Sequence, residues 1–106
     1  MKAITFLGNS KSDLLSFPAT ARREAGYQLH RIQEGLDPLD WKPMSSIGSG
    51  VREVRINSEG AYRIIYVAKY EDSVYVLHSF RKKSQKTRKS DIDVAKKALS
   101  ELNNTK

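Results

Sequence analysis

The chain contains no cysteine, which excludes disulfides and thiolate zinc sites and fits a cytoplasmic location. Its two histidines, His30 and His78, are too few for a His-rich metal centre. No run approaches the roughly 20 apolar residues that a helix needs to cross a bilayer, so no membrane role is expected. The opening stretch Met1-Lys2-Ala3-Ile4-Thr5-Phe6-Leu7-Gly8 begins like a secretion signal but lacks the long apolar segment that completes one. It reads instead as a first strand. No Gly-rich phosphate loop follows a strand, no His-Glu-x-x-His pattern occurs, and nothing resembles a nucleophile elbow. Internal repeats and low-complexity segments are also missing. Most familiar enzyme classes therefore drop out, and neither a metal nor a cofactor is expected.

What is present is positive charge. The 106 residues, short enough to be read as one domain over 1–106, carry a formal net charge of +7. Residues 1–50 hold six Lys/Arg against five Asp/Glu, whereas residues 51–106 hold thirteen against seven. Between Arg81 and Lys89 stand six cations and no acid: Arg81, Lys82, Lys83, Lys86, Arg88 and Lys89. A solvated surface ordinarily mixes signs, so a run of one sign points to a polyanion such as nucleic acid. A mobile loop or a docking site for an acidic protein are the alternatives.

The pattern of residues predicts an α+β domain. Residues 2–7 alternate as a strand. Asn9 and Ser10 can cap a short helix reaching Ser16, and Pro18 suits the first turn of a second. In that second helix Ala21, Ala25, Leu29 and Ile32 share a face, and Gly35 suits its end. Residues 36–50, with Pro38, Pro43, Gly48 and Gly50, read as an ordered loop anchored by Leu39, Trp41, Met44 and Ile47. Three strands follow at Val51–Asn57, Ala61–Lys69 and Ser73–Lys82, separated by the short breaks that antiparallel hairpins require. Ser90 with Asp93 resembles a capping box. It opens a last helix with Ile92, Ala95, Leu99 and Leu102 as its apolar stripe. The expected order is βααβββα, a mainly antiparallel sheet with helices on one face and solvent on the other.

Alternation along the strands then gathers cations. Arg63 interrupts an apolar and aromatic strand, where a charge is costly unless it is paired or reaches an open face. Arg55 and Glu53 share one face of the preceding strand and Arg52 takes the other. On the last strand His78, Phe80 and Lys82 share a face, with Leu77, Ser79, Arg81 and Lys83 opposite. A meander of this kind can bring Arg63, Arg55, Lys82 or Lys83 and His78 over one concave surface. RNA carries its own nucleophile, so its cleavage needs alignment of the 2′-oxygen, removal of one proton and stabilisation of the phosphorane. Guanidinium groups serve the last task because their forked donors match phosphate oxygens. A lysine crowded by cations is pushed toward a range useful for proton transfer. The ordinary alternatives are a salt bridge of Arg63 with Glu53 or Glu59, a satisfied strand histidine at His78, packing for Tyr62, Tyr66 and Tyr75, and a loop anchor at Trp41.

Three segments together resemble the phage-related HigB branch of the RelE/ParE toxin superfamily: Gly50-Val51-Arg52-Glu53-Val54-Arg55-Ile56, Gly60-Ala61-Tyr62-Arg63-Ile64-Ile65-Tyr66, and Leu77-His78-Ser79-Phe80-Arg81-Lys82-Lys83-Ser84-Gln85-Lys86-Thr87. The length, the order of elements and the Lys42-Pro43-Met44 loop are similar too. The resemblance implies a RelE-like fold and a metal-independent endoribonuclease that cuts mRNA in the ribosomal A site. It makes Arg63 a phosphate-stabilising catalytic residue, with Arg55, Lys82 and Lys83 as its basic companions. Glu53 stands where RelE itself is basic. The late tyrosine that assists RelE has no counterpart after residue 83, which leaves Lys86, Lys83 or His78 as the general base. Arg52, Arg81, Arg88 and Lys89 are expected to contact RNA. Such a toxin is monomeric when free and is neutralised in a hetero-oligomer with a cognate antitoxin. Two rivals remain: a ParE-like inhibitor of DNA gyrase and a non-catalytic RNA-binding module.

Overall fold

The structure, a computed structural model, describes residues 1–106. Strand β1 (Ala3–Phe6) leads into helices α1 (Ser10–Leu15) and α2 (Ala19–Gln33). Strands β2 (Trp41–Pro43), β3 (Val51–Asn57), β4 (Ala61–Val67) and β5 (Ser73–Arg81) follow, and α3 (Lys89–Thr105) ends the chain. The fold is α+β, with one mixed five-stranded sheet in the order β1-β5-β4-β3-β2. β1 runs parallel to β5, and the other pairs are antiparallel.

The structure departs from the sequence expectation in several places. Trp41–Pro43 is an edge strand rather than part of a loop: Trp41, Lys42 and Pro43 oppose Val54, Glu53 and Arg52. Proline is tolerated because an edge strand need not donate from every residue. The sheet is also covered on both faces. Ala21, Ala25, Leu29 and Ile32 of α2 pack with Leu14 and Phe17 against Val54, Ile56, Tyr62, Ile64 and Tyr66. On the opposite face Ala95, Ala98, Leu99 and Leu102 of α3 pack against Val51, Ile65, Val67 and Leu77, joined by Met44 and Ile47 from the loop. The strands read as one-sided because Glu53, Arg55 and Arg63 interrupt the second apolar face at one end only.

The helix ends differ from expectation as well. No side chain caps α1, where the Asn9 carbonyl instead accepts from Asp13 N–H at 2.9 Å and from Ser12 Oγ at 3.0 Å. Pro18 is the cap residue of α2 rather than its first helical residue. The Ser90–Asp93 capping box does not form, since the helix already starts at Lys89, whose Nζ pairs with Asp93 at 3.0 Å. The end of α2 fits its sequence. Gly35 takes φ 84°, Leu36 N–H donates to Arg31 O at 2.9 Å and Gly35 N–H to Ile32 O at 3.0 Å, the two bonds of a Schellman motif.

A bulge in β5 decides which side chains share a face. Ile65 opposes His78 while its neighbour Tyr66 opposes Val76, so Leu77 is the extra residue. Before the bulge Val74 and Val76 face α2. After it the even-numbered residues change sides, as a one-residue slip requires. Phe80 lies opposite Arg63 and belongs with Leu77 to the core under α3. Leu77 thus joins the His78 face instead of the Ser79 and Arg81 face.

Leu99 is 8% exposed and joins α3 to the Met44–Ile47 loop and the sheet. Leu99→Ala is expected to lower stability by about 2–5 kcal/mol, read as a fall in the urea midpoint at unchanged slope.

Candidate active site

The site is built at the end of the sheet where β3, β4 and β5 carry charge. Arg55 and Arg63 are directly opposed across β3 and β4, a like-charge pair that destabilises a sheet unless acids attend it. Two do. Asp40 Oδ1 lies 3.7 Å from Arg55 Nη1, and its carbonyl accepts from Arg55 N–H at 2.9 Å. Glu53 Oε1 lies 3.8 Å from Arg63 Nε and 3.8 Å from Lys42 Nζ. Neither Glu53 contact is a hydrogen bond, so Glu53 Oε1 and Arg63 Nε are buried without one. The other carboxylate oxygen, Oε2, accepts from Thr87 Oγ1 at 2.8 Å. That bond pins the basic segment after β5 to the middle of β3.

Arg63 is paired rather than left open on the sheet face. It is 7% exposed and engaged by Glu53, the ion pair that the sequence offered as an alternative. It is not turned away from its companions, however. Nη1 donates to Tyr62 O at 2.8 Å, while Nη2 makes no bond within the chain and is not sealed from solvent. Burial lowers the Arg63 pKa, and Arg55 lowers it further, against the pull of Glu53. Lys82, half-buried, has its pKa lowered first by burial and then by Arg63, with Lys42 and Arg55 adding to the effect and Glu53 opposing it. The structure thus brings Arg55, Arg63 and Lys82 within each other's field, and it adds Lys42. Lys42 is not legible as a site residue in the sequence, because residues 41–43 with Pro43 read as a loop. Its register opposite Glu53 is the signal that was hidden.

Other expected residues lie apart. Arg52 is on the α2 face, where Nη1 bonds Asp37 Oδ1 at 2.8 Å and the guanidinium lies 4.0 Å over the Trp41 ring. Although partial burial opposes it, hydrogen bonds to Asp37 and Tyr66 hold the Arg52 pKa above its usual value. Arg52 is therefore a structural clasp between the α2–β2 segment and β3. Trp41 is a strand residue beneath it rather than a loop anchor. Lys89 is tied to Asp93 within α3. Lys83 and Lys86 are exposed on the segment between β5 and α3. Arg81, Lys83 and Arg88 line a groove of about 610 Å³ that runs along β5 between the α1–α2 turn and the start of α3. His78 lines the same groove, stacks on Phe80 with ring centroids 4.9 Å apart, and bonds Asp91 Oδ1 through Nε2 at 2.8 Å. Tyr62, Tyr66 and Tyr75 are buried packing residues. No group of three or more His, Asp or Glu side chains converges, so no residues are assigned as metal ligands.

Fold and site together define a small basic α+β protein with cations concentrated at one end of a mixed sheet, an arrangement suited to a polyanion. The chain belongs to the family of phage derived protein Gp49-like (DUF891), whose model matches residues 12–100, from α1 through most of α3. No curated protein matches the sequence.

Two outcomes follow from this geometry. Glu53→Ala leaves Arg63 buried without compensation and is expected to cost about 3–5 kcal/mol of stability, whereas Glu53→Leu combined with Arg63→Met recovers most of it; denaturant titrations of the single and double variants check this. The Lys82 ammonium is expected to titrate below the exposed lysines, and Arg63→Gln, which removes a repelling charge, to move it upward. Side-chain NMR titration resolves both.

Proposed function

We propose that the chain is the toxin of a type II toxin–antitoxin pair and cuts mRNA in the ribosomal A site by attack of the 2′-hydroxyl on the adjacent phosphate. The observation that carries this reading is the gathering of Arg55, Arg63, Lys82 and Lys42 on one end of the sheet, continuous in sequence with the cations from Lys83 to Lys89. Association of the Gp49-like family with RelE and toxin-like proteins supports it.

In this reading Arg63 and Arg55 hold the non-bridging phosphate oxygens and stabilise the charge that develops on the phosphorane. Glu53 orients Arg63 and keeps the cluster from repelling itself apart in the free protein. A phosphate arriving among these cations supplies an acceptor for Arg63 Nη2, the guanidinium nitrogen left open to solvent. Lys42 and Lys82 add charge at the rim, and Arg81, Lys83 and Arg88 guide the strand along the groove. The ribosome supplies the alignment of the codon. A cognate antitoxin silences the toxin by presenting acids to this surface.

Controlled expression of wild type and Arg63→Ala, with mapping of mRNA 5′ ends, tests the proposal. Wild type is expected to cut within translated codons and to arrest growth, and Arg63→Ala to lower cleavage on the order of 10²–10³-fold. Intact mRNA with trapped gyrase–DNA complexes would instead assign the chain to the ParE-like class.

A further inference from the structure

The groove along β5 contains a histidine–carboxylate pair that the phosphate cluster does not use. β1 pairs with β5 only as far as Phe6 opposite Val76, and the chain then turns away at Gly8, φ 53°, into α1. Residues His78 to Arg81 consequently have β4 on one side and no strand on the other. The gap is the groove, with Asp13 and Pro18 on one wall, Arg88 and Asp91 on the other, and Arg81 and Lys83 along the rim. Its volume of about 610 Å³ falls in the range of small-ligand sites, and its cations suit an RNA backbone.

His78 is oriented from three directions. Its backbone is paired with Ile65, its ring stacks on Phe80, and Nε2 meets Asp91 Oδ1 at 2.8 Å. A neutral imidazole that donates from Nε2 to a carboxylate presents Nδ1 as a free lone pair. Nδ1 has no partner within the chain and is not sealed from solvent. By contrast, Lys83 and Lys86 are exposed, and no ion pair fixes either ammonium group. Phe80 stacks on His78 and opposes Arg63 across the strands, so the histidine stands two residues along β5 from the position that faces Arg63.

We propose that His78 is the general base of the cleavage reaction and that Asp91 is the residue that positions it. The inference rests on the ribonuclease reading above and selects His78 over Lys83 and Lys86, the other bases that the sequence allows. The 2′-hydroxyl proton passes to His78 Nδ1 as the O2′–P bond forms. The P–O5′ bond breaks and the 5′-oxygen leaves with a proton from water, giving a 2′,3′-cyclic phosphate and a 5′-hydroxyl. His78 then returns its proton to solvent.

The test is single-turnover cleavage of a defined mRNA on programmed ribosomes at saturating ribosome concentration, together with ¹⁵N spectra of the His78 ring in the free protein. His78→Gln is expected to lower the rate constant about 10²–10⁴-fold with little change in ribosome binding. Asp91→Asn is expected to lower it at least about tenfold and to shift the ring away from the Nε2-protonated form, and Asp91→Glu to restore both. Wild-type rates in His78→Gln, with cleavage abolished in Arg63→Ala, overturn the proposal and leave the ribonuclease reading standing. Absence of cleavage by the wild-type chain on ribosomes removes both. Should His78→Gln not fold, Asp91→Asn decides: an unchanged rate and ring spectrum overturn the proposal.

Discussion

A carboxylate with no exposed surface organises the charged end of this protein. An ionised Glu53 buried alone would be prohibitively costly, and the structure answers with Arg63 and Lys42 on either side and a hydroxyl from Thr87. Each partner comes from a different element: β4, β2 and the segment leading to α3. The same negative charge lets Arg55 and Arg63 stand opposite each other on adjacent strands, with Asp40 attending the outer one. Cations can then be packed more densely than their mutual repulsion would otherwise permit. What the buried acid does not neutralise remains as a concentrated positive field at one end of the sheet.

Two backbone features direct that field. The bulge at Leu77 reverses the facing of β5, so that the even-numbered residues after it follow Arg63 and Glu53 rather than the α2 core. Without it the strand would turn Lys82 to the opposite side. The shortness of β1, only four residues, leaves the later half of β5 without an outer neighbour and opens the groove in which His78 meets Asp91. A free strand edge is ordinarily a liability. Here it is flanked by α1 and the start of α3 and lined with charge, devices that also discourage edge-to-edge pairing.

Helices on both faces confine the functional surface. α2 and α3 cover most of the sheet with apolar contacts, and only the end bearing Arg55, Arg63 and Lys82, together with the adjoining β5 edge, is left to polar groups. Arg55, Arg63 and Lys82, all from residues 51–106, therefore meet on the surface that the helices leave open, which strengthens attraction to a polyanion there. Arg52 shows the limit of counting charges. It belongs to the same basic half of the chain, yet its guanidinium is committed to Asp37 and Trp41.

Much of this was legible in the residues themselves. The apolar stripes of α2 and α3, the strand boundary Val51–Asn57, the Gly35 stop and the shared face of Glu53 and Arg55 follow from periodicities of 3.6 and 2 and from glycine's access to positive φ. Those are local rules, and local rules need only neighbouring residues. The edge strand at Trp41–Pro43, the cover on the second face, the bulge at Leu77, the burial of Arg63 and the His78–Asp91 bond were decided by tertiary structure. Each depends on groups brought together from distant parts of the chain, where packing and the cost of isolating a charge, not sequence spacing, select the arrangement.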